Sequence, residues 1–285
     1  MDLFEFDFGK GLGPFLIILS ALLHALWNGL LKGVREKIKT TAGAMNSALI
    51  ISFILLLLDG NSALFSYQIY IWIAVAGICE GAYLYLVARA YETTTYGLAY
   101  TIMRGGAMIC VWLVSVPLFG ERFGMLHFLG VLLILAGMVG MNNGLHTKVS
   151  RIGVIIATRA AFLIAAYHLA YNQAISLGAN PLYVFSLSMI FAVSTFYLFS
   201  YKRFRGKLII ITYDGLLAGI AFLLSLILFL YGMRETDAGL TISLRNSSLV
   251  FAALIANVLG EPLNRKEAIG MILVILGVMA LSVTK

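Results

Sequence analysis

The chain has 285 residues, 61% of them hydrophobic and only 12% charged, and its mean hydropathy is +0.96. A soluble domain carries about a quarter charged residues, so this composition excludes an ordinary soluble protein and indicates an integral membrane protein. The net charge of +7 does not indicate a nucleic-acid partner, because the basic residues lie in short loops between apolar segments. Cys79 and Cys110 fall within apolar segments, so we expect neither a disulfide nor a metal site, and no motif indicates a cofactor.

Ten apolar segments follow one another along the chain. A membrane-spanning helix needs about 20 mostly apolar residues, and short loops between such helices favour antiparallel neighbours. The predicted spans cover residues 14–33, 41–58, 67–90, 97–119, 123–141, 152–176, 181–201, 208–233, 238–259 and 265–283. We therefore predict an all-α integral membrane protein with ten transmembrane helices.

The distribution of Lys and Arg between the loops predicts an orientation. With ten spans, both termini lie on one side of the membrane and the loops alternate between the two sides. The side of the termini holds four basic residues, Lys10, Arg122, Arg234 and Lys285. The other side holds thirteen: Lys32, Arg35, Lys37, Lys39, Arg89, Lys148, Arg151, Lys202, Arg203, Arg205, Lys207, Arg265 and Lys266. Since basic loops stay in the cytoplasm, we predict a multi-pass protein of the cell (inner) membrane with both termini extracytoplasmic.

The two halves of the chain repeat each other. Tyr100–Glu121 and Ile242–Glu261 each place an arginine early in an apolar run that ends on Gly-Glu. Span 1 contains HALWN and span 6 contains HLAYN, while spans 3 and 8 both contain AGI. Because each half has five spans, an odd number, the halves must lie in opposite orientations, as in many secondary transporters. We predict two five-helix repeats, residues 12–143 and 150–285, that together form one membrane domain.

These features resemble the drug/metabolite transporter (DMT) superfamily, EamA type. The resemblance rests on the five-plus-five inverted repeat, on the Gly-Glu before the last span of each half, and on the glycines seven residues apart that follow it, Gly130 and Gly137, then Gly270 and Gly277. Many members carry proline-containing signatures in spans 4 and 9, where this chain has Met-Arg-Gly-Gly and Leu-Arg-Asn-Ser, and the chain looks like the subgroup with HALWN in span 1. The resemblance implies small-solute transport by spans 1–4 and 6–9 around a central cavity, with spans 5 and 10 packed peripherally.

Arg104 and Arg245 are the charged residues that recur in the repeat. An arginine within a membrane span is costly and is a candidate functional residue. Each lies about seven residues into its span, roughly 10 Å deep at 1.5 Å per residue, and the opposite span directions predict positions on opposite sides of the midplane. A guanidinium binds a carboxylate or phosphate through two parallel hydrogen bonds. The alternative is that each arginine pairs with a buried acid or caps helix carbonyls.

Glu80 is the most deeply placed acid, near the middle of span 3, and the matching position in span 8 is Phe222. A carboxylate at that depth can carry a coupling proton or hold a cationic group. The alternative is a permanent ion pair with Arg104 or Arg245, which would neutralise both groups.

Several polar and aromatic residues of the spans could line a binding cavity. These candidates are His24, Trp27, Asn28, Tyr83, His168, Tyr171, Asn172 and Asn246. His24 joins Glu80 as a candidate proton carrier, because an imidazole can titrate near neutral pH. Aromatic rings beside Glu80 could also enclose a quaternary amine. For the asparagines, interhelical hydrogen bonding is the alternative role.

The glycine pairs named above have a spacing that lets helices approach closely. They predict either packing of span 5 against span 10 or a homodimer through these two spans. Glu121 and Glu261 lie at the turns before these spans. We expect them to cap the next helix or to pair with Arg122 and Arg265.

The leading hypothesis is a secondary transporter, not an enzyme, for a small anionic or zwitterionic metabolite that is amino-acid-like or contains a phosphate or phosphonate. Its partners would be this solute and the lipid bilayer. The solute would move by alternating access, with one half of the chain rocking against the other. Proton coupling is a candidate driving force, because the sequence contains no Walker-type phosphate loop that would indicate ATP. A choline-like organic cation held by Glu80 and aromatics is a second hypothesis, and a lipid scramblase or flippase is a third.

Overall fold

The computed structural model describes residues 12–59, 65–93, 96–141, 150–204, 210–258 and 264–283. Within these ranges the chain forms eleven helices and no strand. In chain order they are α1 (Gly13–Gly33), α2 (Lys37–Asp59), α3 (Tyr67–Thr93), α4 (Tyr96–Phe119), α5 (Met125–Gly140), α6 (Arg151–Ser176), α7 (Pro181–Phe204), α8 (Tyr213–Gly232), α9 (Ala238–Arg245), α10 (Ser248–Val258) and α11 (Arg265–Ser282). Eight of the helical stretches are long and apolar enough to cross a membrane. The chain is a multi-pass membrane protein, and the predicted all-α fold class is confirmed.

Polar side chains fix where several helices begin. Ser150 caps α6 by accepting a hydrogen bond from the Gly153 amide at 3.2 Å. Thr212 caps α8 in the same way, because a side-chain oxygen at this position satisfies an amide that has no partner within the helix. Span 8 was predicted from residue 208, and this cap explains why its helix begins only at Tyr213.

The ninth span is broken in the middle. A continuous helix over 238–259 is wrong at Asn246 and Ser247, which form a turn between α9 and α10. Hydrogen bonds through this turn join residues three apart, such as Asn246 N to Ser243 O at 3.1 Å and Ser247 N to Leu244 O at 3.0 Å. Asparagine and serine compete with helical backbone bonding, and a tightened turn within a helix is typical of a functional hinge.

Most helix packing joins the first half of the chain to the second. α3 packs mainly against α6 and α7, and its counterpart α8 packs mainly against α1 and α2. α4 packs against α6, and likewise α1 packs against α9 and α10. The halves are therefore interlocked and are not two separate bundles. Whether residues 12–143 and 150–285 are the units of duplication stays a prediction, and residues 142–149 between them lie outside the described residues.

The glycines of α5 and α11 face each other within one chain. A Cβ at Gly137 would lie 2.5 Å from the Gly270 carbonyl oxygen, and a Cβ at Gly277 would lie 2.6 Å from the Gly130 carbonyl oxygen. These contacts place α5 and α11 backbone to backbone, which is the intramolecular alternative of the two that the spacing allowed. A homodimer through the outer faces of these helices stays a prediction.

The two ends of the bundle differ in charge. At one end, which we call the basic end, Arg35, Lys37 and Lys39 after α1 lie beside Glu92 of α3 and Arg203 of α7. The opposite end holds the start of α1, the turn after α4 and the start of α9. There the Gly13 amide donates to the Glu235 carboxylate at 2.9 Å.

Replacing Gly137 by alanine should destabilise the protein. The added methyl would overlap the Gly270 carbonyl oxygen and the Val274 side chain, and overpacking of this kind costs about 1–3 kcal/mol. The measurement is thermal unfolding of the purified protein in detergent.

Gly140→Ala on the same helix is the matched control, because a Cβ at Gly140 meets its nearest neighbour, Gly270 Cα, at an ordinary 3.6 Å. Equal unfolding temperatures for the two variants would contradict close packing of α5 on α11.

Candidate functional site

Arg104 and Arg245 meet in the interior of the bundle. Their exposed fractions are only 3% and 2%. The Arg104 Nη2 donates to the Arg245 carbonyl oxygen at 3.2 Å and to Ser248 Oγ at 3.1 Å. The break after Arg245 turns its carbonyl toward α4, so the two arginines belong to one site, which we call the arginine centre.

The Arg245 side chain is held by small polar groups and by one ring. Its Nη1 donates to Ser20 Oγ at 3.2 Å, and its Nη2 lies 3.4 Å from His24 Nδ1 and 3.5 Å from Ser225 Oγ. The guanidinium carbon lies 3.9 Å from the centroid of the Phe229 ring. A cation over an aromatic face is attracted by the ring quadrupole, but none of these groups carries a negative charge.

The arginine centre therefore holds two cations without an ion-pair partner in the described chain. The ion pairs there all involve surface residues such as Glu36 and Glu92. The Nε atoms of Arg104 and Arg245 and the Oδ1 of Asn246 are buried and make no hydrogen bond. Buried polar atoms are nearly always paired, so these atoms mark a place for a ligand or for ordered water.

Glu80 is buried, with an exposed fraction of 2%, and it is bound to a tyrosine instead of an arginine. The Tyr171 hydroxyl donates to Glu80 Oε2 at 2.5 Å and lies 2.8 Å from Ser188 Oγ. The two glycines beside Glu80, Gly77 and Gly81, touch the backbone of α7 so closely that a Cβ would overlap a carbonyl oxygen there. The expected alternative of an ion pair with Arg104 or Arg245 is absent from the described residues.

His24 connects the arginine centre to the rest of its repeated motif. Trp27 Nε1 donates to His24 Nδ1 at 3.0 Å, and Asn28 Nδ2 donates to the His24 carbonyl oxygen at 2.7 Å. Because Nδ1 faces both the indole N–H and the Arg245 guanidinium, we assign it as the unprotonated acceptor of a neutral imidazole. Asn28 bonds within its own helix, not across to another one.

In the second copy of this motif, in α6, the histidine and the tyrosine are buried near the arginine centre but the asparagine is not part of it. His168 and Tyr171 are buried, and the His168 ring lies 4.8 Å from the Phe229 ring that also contacts Arg245. Asn172 is only half-buried and makes none of the hydrogen bonds described for the arginine centre. Asn246, at the helix break, is fully buried and donates to Met108 Sδ at 3.2 Å.

Tyrosines form one wall next to the arginine centre. The Tyr83 and Tyr167 rings are 5.6 Å apart, and the Tyr167 and Tyr171 rings are 5.8 Å apart. Tyr100 bonds Ser248 Oγ through its hydroxyl at 2.9 Å, with its ring centroid 5.8 Å from the Arg104 guanidinium. Tyr85 lies elsewhere, stacked on Phe199 of α7. Glu80 is bonded to Tyr171 of this wall, and Arg104 lies beside Tyr100.

Sequence reasoning missed the small residues that contact the arginines. Ser20, Ser225 and Ser248 are fully buried hydroxyls, and each bonds an arginine side chain. Hydroxyl residues within apolar spans commonly bond across helices, but the chain has many of them. Only the fold shows which ones face the arginines.

Helix α4 and the turn after it contact the short helix α9 along its whole length. Arg104 binds the carbonyl at the end of α9, and Trp112 Nε1 donates to Ser243 Oγ at 3.0 Å. The Trp112 ring also packs directly on Gly239, where a Cβ would come within 2.6 Å. At the start of α9, the Glu121 carboxylate accepts hydrogen bonds from the amides of Ala238 at 2.6 Å and Gly239 at 3.0 Å.

Glu121 thus caps a helix of the other half, and not the next helix or Arg122 as expected. A carboxylate at a helix N-terminus and a guanidinium at its C-terminus both match the helix dipole, so α9 is held at both ends by charges from the first half. Glu261 lies outside the described residues.

No group of three His, Cys, Asp or Glu side chains in the described ranges could hold a metal ion. Cys79 and Cys110 are half-buried free thiols.

Residues 151–283 match the sequence profile of the EamA-like transporter family. This match confirms the resemblance over the second half of the chain. No curated protein sequence gave a match.

A solved crystal structure of a protein superposes on this chain with a TM-score of 0.77 at 17% sequence identity, covering 96% of this chain and 99% of that one. At this identity the likeness shows the fold alone. It shows that fold over nearly the whole chain, including the first half that the family profile does not cover.

Stability should depend on the charge of Glu121. Burial raises the pKa of the Glu121 carboxyl above its ordinary value and outweighs the hydrogen bonds from the two amides, which lower it, while neighbouring Asp237 raises it further. The folded protein therefore holds this proton at pH values where the unfolded chain has released it, so stability falls as pH rises from about 4.3 through the raised pKa. Glu121→Gln should flatten this part of the curve of unfolding temperature against pH.

Glu36→Gln is the control, because Glu36 is a surface carboxylate paired with Lys39. A pH dependence that is the same in Glu121→Gln and in the unaltered protein would contradict this role.

Proposed function

Because residues 151–283 match the sequence profile of the EamA-like transporter family, we propose that this chain is a secondary transporter of a small anionic or zwitterionic metabolite. The solute is amino-acid-like or contains a phosphate or phosphonate group. The observation that carries the proposal is the arginine centre, where two buried guanidinium groups face only neutral partners.

The charge balance of the arginine centre favours an anion. A cation removed from water is costly unless a negative charge compensates it, and two adjacent cations repel each other. A carboxylate or phosphate between Arg104 and Arg245 would offset both costs through charge-assisted hydrogen bonds. Both side chains point into the bundle and are almost completely buried, which favours an enclosed solute over a lipid headgroup.

Glu80 supplies the complementary function. Its carboxylate lies among neutral hydroxyl groups at the far end of the tyrosine wall, where it could hold the amine of a zwitterion or carry a proton. Of the two candidate proton carriers, the geometry favours Glu80, because His24 Nδ1 already faces two donors and a proton there would meet them.

Helix packing suggests which parts move during alternating access. One packed group consists of α3, α4 and α6, and the other of α1, α8, α9 and α10. Each group is drawn from both halves of the sequence, so movement of these groups fits the packing better than one half rocking against the other. Arg104 belongs to the first group and Arg245 to the second, so a solute bound to both would bridge the moving parts.

For the membrane and orientation, we propose the cytoplasmic membrane with the basic end of the bundle inside and both termini outside. The support is the excess of Lys and Arg at that end, which is typical of cytoplasmic loops.

Loss of either arginine should weaken binding of the transported solute. Arg104→Gln and Arg245→Gln each remove charge-assisted hydrogen bonds worth about 1.5–3 kcal/mol, so the dissociation constant should rise roughly 10- to 150-fold. The solute is first identified by thermal stabilisation across anionic, zwitterionic and cationic metabolites, because a specific ligand raises the unfolding temperature. Its affinity is then measured by titration.

Arg159→Gln is the matched control, since Arg159 is a span arginine that is exposed on the surface of α6. Unchanged affinity in both variants of the centre would exclude the arginines as the anion site.

Replacing Glu80 by glutamine should uncouple transport from protons. In proteoliposomes, Glu80→Gln should still exchange labelled for unlabelled solute but should no longer accumulate it when a pH gradient is imposed, because the amide cannot take up the proton. Glu36→Gln serves as the surface control. Gradient-driven accumulation that persists in Glu80→Gln would exclude Glu80 as the carrier.

An organic cation is the second candidate solute. It is favoured by the buried Glu80 beside the rings of Tyr83, Tyr167 and Tyr171, since aromatic faces attract quaternary amines. In the same stabilisation screen, a response to choline-like amines alone would favour this candidate over an anion.

A further inference from the structure

The two parts of the ninth span are packed unequally. Every residue of α9 except Leu240 is buried. In α10, among the residues whose exposure is described, only Ser248 and Val250 are buried. Within the described ranges α4 packs on α9 far more than on α10, which it meets at Ser248 through Arg104 and Tyr100. These two spans are therefore packed closely at the end opposite the basic end and loosely toward the basic end.

The chain folds back after α4 and so reaches α9. Gly120 has a φ of 70°, a left-handed conformation that glycine adopts without steric cost. The next amide, that of Glu121, donates to the Ser115 carbonyl oxygen at 3.5 Å. This turn directs the Glu121 side chain to the start of α9, where it accepts from the amides of Ala238 and Gly239.

The contact at the start of α9 satisfies backbone groups that have no other acceptor in their helix. The first amides of a helix lack a partner within it, and Ala238 and Gly239 are both buried. Without the Glu121 carboxylate, two buried donors would be unpaired, which is costly unless water can reach them. Trp112 adds a hydrogen bond to Ser243 Oγ and packs its ring on Gly239. These contacts thus stabilise the arrangement in which α4 lies directly against α9.

We propose that the contact of Glu121 and Trp112 with α9 is the gate at this end of the bundle, and that the structure shows this gate closed. The inference rests on the proposed function, because a gate has a role only in a transporter. Arg104 lies eight residues before Trp112 in α4, about two helical turns away, and Arg245 ends α9. Separation of the two helices at this end would therefore expose the arginine centre from that side.

The gate is tested by the reactivity of a buried thiol, which requires no knowledge of the solute. Cys79→Ala and Cys110→Ala remove the native thiols. Ser115→Cys, a replacement of similar size, places the reporter at a fully buried position of α4 between Trp112 and Glu121. In detergent, the labelling rate is measured with trimethylammonioethyl methanethiosulfonate, a water-soluble reagent, and is divided by the rate in denatured protein.

Opening of the gate should make this thiol reactive. Glu121→Ala removes the acceptor of two buried amides and should raise the labelling rate roughly tenfold or more. Trp112→Phe keeps an aromatic ring on Gly239 but loses the hydrogen bond to Ser243, so we expect a smaller rise. Glu121→Gln keeps one acceptor oxygen, and its rate should stay closer to that of the unaltered protein than the rate of Glu121→Ala.

Glu235→Ala is the matched control. The Glu235 carboxylate lies at the same end and also accepts a backbone hydrogen bond, from the Gly13 amide at 2.9 Å, but it joins α1 to the connection between α8 and α9. Its loss should leave the labelling rate unchanged. A second reporter, Ser52→Cys, occupies a fully buried position in α2 and should stay protected in every variant.

An unchanged rate in both Glu121→Ala and Trp112→Phe would overturn the gate. A rate that rises equally at the second reporter would also overturn it, because such a rise shows general unfolding and not a local opening. Either result leaves the proposed function intact if Arg104→Gln and Arg245→Gln lose affinity for the solute. Selective labelling of the first reporter, with unchanged affinity in both arginine variants, would support the gate and exclude the arginines as the anion site.

Discussion

The contact of helix α4 with the short helix α9 is the constraint on which the site depends. Three side chains of the first half contact α9. Arg104 binds its end, Trp112 contacts its middle and Glu121 binds its start. Both charged contacts follow the helix dipole, with the carboxylate at the N-terminus and the guanidinium at the C-terminus. An eight-residue helix has little stability of its own. The position of α9 is therefore set by these three contacts and by its packing on α1.

The contact between α4 and α9 explains why the two arginines lie together although they belong to opposite repeats. Because the ninth span breaks after Arg245, its last helical carbonyl is free to accept from Arg104. A continuous helix would have used that carbonyl within its own backbone ladder. The break thus converts a repeated sequence feature into one asymmetric centre, with Glu80 and its tyrosine on one side only.

Close packing at glycines joins helices from the two halves of the chain. α5 and α11 meet backbone to backbone through their glycines, and Gly77 and Gly81 bring α3 onto α7 beside Glu80. Because these contacts join helices of different halves, the two sequence repeats are not separately packed units. Glu121 contacts the start of α9 at one end of the bundle, and the cavity lined by charged residues lies at the other end.

The sequence by itself determined the membrane class, the approximate position of the spans and the arginines and Glu80 as candidate residues, because apolar length and the cost of a buried charge are properties of the chain alone. Its repeated motifs also predicted the resemblance to EamA-type transporters, which the profile match supports over residues 151–283. Only the tertiary structure decided that Arg104 binds the Arg245 carbonyl, that Glu80 bonds Tyr171 instead of an arginine, and that Glu121 caps α9. These partners lie roughly 90 to 140 residues apart in the chain, so local patterns contain no information about them. They follow from which helices interlock and from where the ninth span breaks.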